Sequence, residues 1–255
     1  MLAQRMGKLR GEAQESMSLS PFLMPILFDF HGAKSFADLA ELLLAGHFMI
    51  GHFTSFGKLV DEKILPRTFN TQKLDAAFRK ANRPLNEACF DDIDHLVTRP
   101  KGKVALLSLK ASRWTIQLAS AKNLNTQFSI ILKKHPKEYD QIVVGVYGGK
   151  RDTLTDKYDI LRGINRGKVH DVVDLTAHVQ VLAGRDFWSW LNGDERRTQE
   201  WVLDGILEGL KSAKCGEECK QLLAKFAEAF NERYAKHVKK DGEVDWQQLL
   251  TEING

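Results

Sequence analysis

Asp94 and Lys110 are the two side chains in this sequence whose types and spacing best suit hydrolytic chemistry. They flank the segment Arg99-Pro100-Lys101-Gly102, whose proline and glycine favour a turn, so a β-hairpin is expected around it. Hydrolysis of a phosphodiester needs a divalent ion that withdraws charge from the phosphate and a cation near the attacking oxygen. A carboxylate and a lysine brought together on one hairpin can meet both needs.

The two expected strands are Phe90–Thr98 and Lys103–Lys110. Since alternate residues of a strand point to the same face, Ser108 and Lys110 share one face of the second strand. A register that brings Asp94 opposite Ser108 adds the carboxylate to that surface. The plain alternative is a cross-strand surface ion pair between Asp94 and Lys110, which would contribute only about 0–1 kcal/mol.

Helical periodicity surrounds this hairpin on both sides, and further short apolar runs have the character of strands. Helices are expected over Phe36–Leu44, from Thr54 or Ser55 to Pro66, and over Leu74–Ala81, Ser112–Lys134, Arg185–Trp190, Thr198–Lys211, Glu217–Lys239 and Trp246–Ile253. Further strands are expected over Gln141–Tyr147, Asp171–Asp174 and Val179–Leu182. This order predicts a mixed α/β fold in which residues 86–190 form the core, between helical regions at 1–85 and 191–255.

The composition excludes several classes of protein without selecting one. Of 255 residues, 43% are hydrophobic and 27% charged, and the formal net charge of +4 is only mildly basic. No apolar run reaches the roughly 18 residues that a membrane span needs. The charged N-terminal segment lacks a signal-peptide cleavage site, so a cytoplasmic protein with no membrane partner is expected. The three cysteines, Cys89, Cys215 and Cys219, are expected to be reduced thiols.

Several segments of the chain resemble one type II restriction endonuclease family, whose best-known member cuts the interrupted palindrome purine-GGNCC-pyrimidine. Asp94 followed by Ser108-Leu109-Lys110 resembles a variant of the PD-(D/E)xK nuclease motif. The longer segments that resemble this family are Phe56–Arg67, Phe90–His95, Leu107–Ala111, Trp114–Leu118, Leu154–Tyr158, Ile160–Asn165 and Phe187–Asn192. The resemblance runs from about Met17 to the C-terminus, and several segments agreeing in order are more specific than the short motif.

This resemblance implies a PD-(D/E)xK restriction-endonuclease-like core, a mixed sheet flanked by helices. Asp94 would be the metal-binding carboxylate, Lys110 would orient or activate the attacking water, and the backbone carbonyl of Leu109 would complete the metal shell. Ser108 departs from the pattern, because the general motif has Asp or Glu there. One Mg²⁺ per active site is therefore expected, with Ser108 contributing to catalysis through water or hydrogen bonding.

Glu62 is the candidate for the missing carboxylate and metal ligand, because in related nuclease folds a helix before the hairpin often offers a Glu to the site. Its alternative role is a solvated helix pair with Lys58, four residues earlier, worth a few tenths of a kcal/mol. Asp92 is a further candidate, either as an alternate ligand or as a residue that supports one.

DNA contacts are expected from two parts of the chain. The candidates on or near the helix after the hairpin are Arg113, Gln117, Lys122, Asn123 and Asn125. The second part is the basic, glycine-bearing stretch Lys150–Lys168, with Lys157, Arg162 and Asn165 as its candidates. Glycine permits close backbone approach, and the cationic donors suit guanine edges or phosphates. A solvated basic surface is the alternative for both parts.

The resemblance implies Mg²⁺-dependent, sequence-specific cleavage of double-stranded DNA at purine-GGNCC-pyrimidine or a close variant, leaving 5′-phosphate ends. A palindromic site implies two-fold protein symmetry, hence a homodimer with one active site per subunit. The C-terminal helices carry an apolar stripe that either packs within the chain or forms the dimer interface; it comprises Leu222, Leu223, Phe226, Ala229 and Phe230. Two other functions stay open: a structure-selective repair or junction nuclease, and a catalytically inactive DNA-binding protein of the same fold.

Overall fold

The computed structural model describes residues 22–99, 104–112, 116–213 and 216–254. These residues form a mixed α/β fold built on a five-stranded sheet, which confirms the expected fold class. In chain order the strands are β1 (Gln72–Lys73), β2 (His95–Thr98), β3 (Val104–Lys110), β4 (Ile142–Val146) and β5 (Val179–Ala183).

Helices precede, interrupt and follow the sheet. In chain order they are α1 (Leu23–Phe30), α2 (Phe36–Leu59), α3 (Leu65–Thr68), α4 (Ala76–Ala81), α5 (Leu118–Lys134), α6 (Lys157–Ile160), α7 (Arg185–Leu191), α8 (Thr198–Ala213), α9 (Gly216–Tyr234) and α10 (Trp246–Asn254). A π-helical turn at Val60–Ile64 joins α2 to α3, and short 3₁₀ turns lie at Ala88–Phe90, Arg151–Thr153 and Ala235–His237. None of the helices in the described residues is long and apolar enough to cross a membrane.

The strands follow one another in the sheet in the order of the sequence. β1, β2 and β3 pair in antiparallel fashion, whereas β3, β4 and β5 are parallel. All five residues of β4 are buried, as expected for a central parallel strand covered on both faces. Lys110, Val146 and Ala183 lie level at the carboxyl end of the parallel strands, so chain segments that leave these strands meet at one edge.

One face of the sheet is covered by α5. The buried side chains of this helix recur at three- and four-residue spacing, which makes it amphipathic. Phe128 and Ile131 of α5 belong to the same apolar core as Leu106 of β3 and Val144 of β4. This core positions the end of β3, where the candidate site begins.

The opposite face of the sheet approaches α7 unusually closely at Gly145. A Cβ atom at this position would lie 2.3 Å from Cε2 of Phe187 and 2.8 Å from Cδ1 of Leu107. Glycine in the middle of β4 therefore makes room for the aromatic ring, which fits the use of glycine in strands where another group approaches the backbone.

The described residues divide into two compact units, those within 57–207 with the sheet and those within 22–56 together with 208–254. The described part of the second-named unit has its own apolar core, in which Phe36 and Leu39 pack with Phe226 and Phe230. Of the two alternatives for the C-terminal apolar stripe, packing within the chain therefore holds for Phe226 and Phe230. Residues 57–85 of the region expected at 1–85 and residues 191–207 of the region expected at 191–255 lie in the unit that contains the sheet.

The expected helix ends at the N-terminal side were wrong. The separate helices expected over Phe36–Leu44 and from residue 54 are parts of one helix, α2. Pro66 does not end the helical path, because it lies in the first turn of α3 after the π-helical turn. A proline is tolerated there, since the first turn of a helix needs no intrahelical N–H donor.

The strand expected over Phe90–Thr98 begins only at His95. The guanidinium of Arg79 donates to the carbonyl oxygens of Asp91 at 3.1 Å and Ile93 at 2.6 Å, so a side chain replaces a neighbouring strand as the partner of this backbone. The turn residues Pro100, Lys101 and Gly102 lie outside the described residues.

Three other expected elements differ in extent. The helix expected from Ser112 begins at Leu118, and the one expected to reach Lys239 ends at Tyr234. The segment Asp171–Asp174 is not a strand, because the side chain of buried Asn125 takes both the N–H and the carbonyl of Val173, each at 2.8 Å.

Candidate active site

The hairpin brings Asp94 level with Ser108. β2 and β3 pair with His95 opposite Leu107 and Thr98 opposite Val104, which is the register expected from alternation around the turn. Asp94 lies just before the first paired residue of β2. It bonds to the backbone on either side of Ser108.

The carboxylate of Asp94 is fixed against the edge of β3. Its Oδ2 accepts a hydrogen bond from the backbone N–H of Leu109 at 2.6 Å, and its own N–H donates to the carbonyl of Leu107 at 2.8 Å. In an extended strand the N–H and C=O of one residue point to the same side. The carbonyl of Leu109 therefore faces the same edge as the Asp94 carboxylate, as the metal-shell interpretation requires.

Burial raises the pKa of the Asp94 carboxyl above its ordinary value. The nearby charge of Lys110 and the hydrogen bond from Leu109 lower the pKa, and they offset the burial only in part. The charge of Asp61 raises the pKa further. A site of this kind gains from a bound cation, because the cation favours the ionised carboxylate.

Lys110 does not form the surface ion pair with Asp94 that the plain alternative required. Within the described residues, no nitrogen of Lys110 lies within 4.0 Å of an Asp94 oxygen, and its Nζ donates instead to Oγ of Ser108 at 3.0 Å. Ser108 is fully buried and Lys110 is half-buried. The hydroxyl of Ser108 thus holds the Lys110 ammonium at the end of β3. The ammonium lies near the Asp94 carboxylate without forming an ion pair with it.

A buried histidine next to Asp94 anchors the start of β2. Nε2 of His95 donates to Oδ1 of Asp61 at 2.8 Å, and its Nδ1 shares a hydrogen bond with Oγ1 of Thr71 at 3.0 Å. Lys73 of β1 pairs with the second oxygen of Asp61 at 2.5 Å. We refer to Asp61, Thr71, Lys73 and His95 as the His95 network.

The His95 network sets the ionisation of Asp61. Burial alone would raise the pKa of this carboxyl, but the hydrogen bonds from His95 and Lys73 outweigh the burial and the pKa lies below its ordinary value. Sequence reasoning missed these residues, although one signal was available. A histidine that begins a strand with apolar residues after it needs polar partners when it is buried.

Glu62 follows Asp61 in the π-helical turn, and its ion-pair partner is Lys73 rather than Lys58. Its carboxylate lies 3.8 Å from Nζ of Lys73, and its side chain is 46% exposed. The pairing expected with Lys58 is not among the ion pairs of the described chain. The acid of this turn whose charge raises the pKa of Asp94 is Asp61, while the metal-ligand role expected for Glu62 stays a prediction.

The candidates around α5 differ in exposure, and Asn125 is buried. Gln117 lies just before α5 in extended backbone rather than inside the helix expected from Ser112, and its side chain is exposed. Asn123 donates to Oδ2 of Asp92 at 3.2 Å, which ties the helix to the turn before β2. Lys122 is half-buried on the same helix. Arg113 lies outside the described residues.

The candidates in the basic stretch mostly have structural partners. Lys157 at the start of α6 pairs with the preceding aspartate at 2.6 Å. Nε of Arg162 donates to the carbonyl of Val179 in β5 at 2.9 Å. The side chain of Asn165 closes a loop on the backbone of His170, with distances of 3.0 and 3.3 Å. The side chains of Arg162 and Asn165 therefore bond to the protein backbone and stabilise the conformation of this stretch.

The end of β3 offers few side-chain ligands for a metal ion. Among the described residues, no three or more His, Cys, Asp or Glu side chains cluster as a metal-binding group would. Asp94 and the Leu109 carbonyl nevertheless offer one charged and one neutral oxygen at one edge. Mg²⁺ commonly uses one or two carboxylates and takes its other ligands from water and substrate phosphate.

Comparisons with known proteins give no family for this chain. No protein-family model matches it, and no curated protein matches it significantly. The restriction-endonuclease resemblance rests on the sequence segments named above and stays a prediction.

Proposed function

We propose that this chain is a type II restriction endonuclease of the PD-(D/E)xK kind, which cleaves double-stranded DNA at purine-GGNCC-pyrimidine or a close variant with the help of Mg²⁺. The observation that carries the proposal is the arrangement at the end of β3. A carboxylate, a backbone carbonyl and a lysine lie there, beyond the last residue pair of β2 and β3.

Asp94 and the Leu109 carbonyl would hold the ion, which supplies charge withdrawal from the scissile phosphate when bound. Lys110 would orient the attacking water and stabilise the charge that develops on it. Ser108 would keep the ammonium in place through its 3.0 Å hydrogen bond. Because Lys110 is anchored by a neutral hydroxyl rather than by an acid, its positive charge is retained for the substrate.

A palindromic site would require two copies of this centre, so the proposal includes a homodimer acting on duplex DNA in the cytoplasm. Sedimentation of the protein alone and with duplex DNA tests this part. A species of twice the chain mass is expected, and a monomer on DNA would contradict it.

Incubation with supercoiled plasmid and Mg²⁺ tests the cleavage. Discrete, reproducible bands with 5′-phosphate ends are expected from the parent, and Lys110→Met is expected to cut about 10²–10⁴-fold more slowly. Lys137→Met, which removes an exposed lysine from the loop after α5, is the matched control and should cut like the parent. Nicking without sequence preference would favour the repair or junction nuclease instead.

The buried, neutral Ser108 favours a second candidate function, a catalytically inactive DNA-binding protein. In that case the parent and Lys110→Met would both leave plasmid intact while binding duplex DNA equally. That pair of results would overturn the nuclease and leave the binding protein.

A further inference from the structure

The segment between α6 and β5 is held at both ends by one buried side chain. Asn125 of α5 donates from Nδ2 to the carbonyl oxygens of Leu161 at 3.2 Å and Val173 at 2.8 Å, and its Oδ1 accepts from the Val173 N–H at 2.8 Å. Asn125 was a candidate for DNA contact, but it is buried. A core amide that satisfies both ends of a surface segment stabilises a single loop conformation.

The tip of this segment is closed a second time. Asn165 and His170 join side chain to backbone in both directions and enclose the four residues 166–169, which we call the basic tip. Gly167 has a φ of +82° and open space around it, and Val169 is 81% exposed. The basic tip contains Arg166 and Lys168 and no acidic residue.

Arg166 forms an ion pair with a buried acid, Asp159. Its Nε lies 2.8 Å from Oδ2 of Asp159, whose side chain is only 4% exposed, and the other oxygen of Asp159 is taken by Arg151. The side chain of Arg166 itself is 69% exposed. The contact with Asp159 is made through Nε, and the side chain is exposed enough for its terminal nitrogens to meet an outside acceptor.

The supporting acid lies at the same end of the sheet as the candidate active site. Tyr158, which precedes Asp159 in α6, donates from its hydroxyl to the carbonyl of Ser112 at 2.7 Å. Ser112 follows Lys110 by two residues. This hydrogen bond places α6, which carries the acid that supports Arg166, next to the segment that follows the candidate active site.

We propose that Arg166, supported by Asp159, reads a guanine in the major groove of duplex DNA; this rests on the proposed function, which supplies DNA as the substrate. The O6 and N7 acceptors of guanine match the terminal nitrogens of an arginine, and they are the commonest specific contact of this residue. Prior support by Asp159 lowers the side-chain entropy lost on binding. Arg162 and Asn165, the residues expected from the sequence, shape the loop that carries the reader.

Selection from a randomised duplex library tests the proposal, with Ca²⁺ in place of Mg²⁺ so that bound DNA is not cut. The parent is expected to enrich a site that contains guanines. Arg166→Ala is expected to lose the preference at one guanine in each half-site and to keep the others. On the parent's enriched duplex, fluorescence anisotropy should show binding about 10–100-fold weaker for Arg166→Ala. Replacing that guanine with 7-deazaguanine should weaken the parent and leave the variant unchanged.

Two further variants separate base reading from charge and from folding. Arg166→Lys keeps the charge without the fork and should also lose the guanine preference. Lys137→Ala removes one exposed charge elsewhere and should retain it. Thermal melting of all three variants checks that the fold is kept, which is expected because Arg151 still pairs with the buried Asp159.

The inference is overturned if Arg166→Ala enriches the same guanines as the parent, or if its affinity falls equally on enriched and scrambled duplexes. Guanine-dependent binding by a parent that does not cut with Mg²⁺ would support the inference and end the nuclease proposal. No binding of any duplex by the parent would overturn both.

Discussion

At the residue scale, the buried carboxylate of Asp94 lowers the stability of the folded chain at neutral pH. A carboxylate whose pKa is raised by burial binds its proton more tightly in the folded chain than in the unfolded chain. Stability from this group therefore falls as the pH rises from the ordinary Asp range through the raised pKa, and at neutral pH the ionised form is a cost. Such a cost is typical of functional sites, where charge is kept for a ligand.

Asp94→Asn should remove that cost. At neutral pH without divalent ions, the variant is expected to melt about 2–4 °C higher than the parent, which corresponds to about 1 kcal/mol. Added Mg²⁺ should raise the melting temperature of the parent and not that of the variant. Asp204→Asn, which removes an exposed acid from α8, is the control and should respond to Mg²⁺ like the parent. A lower melting temperature for Asp94→Asn would contradict the argument.

Ser108→Glu tests whether the missing acid of the nuclease motif limits the proposed activity. The new carboxylate would lie level with Asp94 and give a cation a second charged ligand. Plasmid cleavage at half-saturation is expected to need about tenfold less Mg²⁺, while the fold loses stability because position 108 is fully buried. Ser108→Gln matches the size without the charge. Equal Mg²⁺ dependence in the two variants would show that charge at this position is irrelevant.

The alternation of residues on two strands was sufficient to place Asp94 and Ser108 together, because a hairpin register follows from its turn. It could not show that Lys110 turns to Ser108 rather than to Asp94, since that depends on burial of the end of β3. Asp61 was out of reach for a different reason. It meets His95 across 34 residues of chain, and no local pattern records such a contact.

At the scale of elements, apolar periodicity located β4 and the body of α5, where burial decides the structure. It did not locate the ends of elements, which depend on side chains bonded to backbone from a distance. Arg79 shortens the strand before His95 in this way, and Asn125 prevents one at Val173. Such ends are decided by tertiary contacts, which a single sequence does not contain.

The hydrogen bond between Asp61 and His95 links the π-helical turn to β2. The variant Asp61→Asn measures how much this link stabilises the fold. The lowered pKa of Asp61 means that its ionised form stabilises the fold above the ordinary value of about 3.9. At neutral pH the variant is expected to lose about 1–3 kcal/mol in the free energy of unfolding. This difference should shrink as the pH falls through the lowered pKa.

Glu62→Gln is the matched control for Asp61→Asn, since the two acids are neighbours in one turn. The 3.8 Å pair between Glu62 and Lys73 is half-exposed, so removing it should change stability by no more than about 0.5 kcal/mol. Urea denaturation over a pH series compares the variants. Equal losses in the free energy of unfolding for both variants would show that the His95 network stabilises the fold no more than the half-exposed pair does.

At the scale of the whole molecule, two separate apolar cores lie in the two compact units. Phe36 and Phe128 are equivalent probes, one in each core, and both are essentially inaccessible to solvent. Replacement of either by Ala is expected to cost about 3–5 kcal/mol. Hydrogen exchange should show lost protection in α9 for Phe36→Ala and in β4 for Phe128→Ala. Loss of protection in both places for either variant would mean that the cores unfold as one.

The close approach of Phe187 to Gly145 has a consequence for the history of this sequence. Any side chain at position 145 would occupy the space of the aromatic ring, and a smaller residue at 187 alone would leave a void. Each single change is therefore disfavoured, whereas a paired change to a larger residue at 145 and a smaller one at 187 keeps the volume. In relatives of this chain the two positions should vary together, so this pair is a marker by which distant members can be recognised.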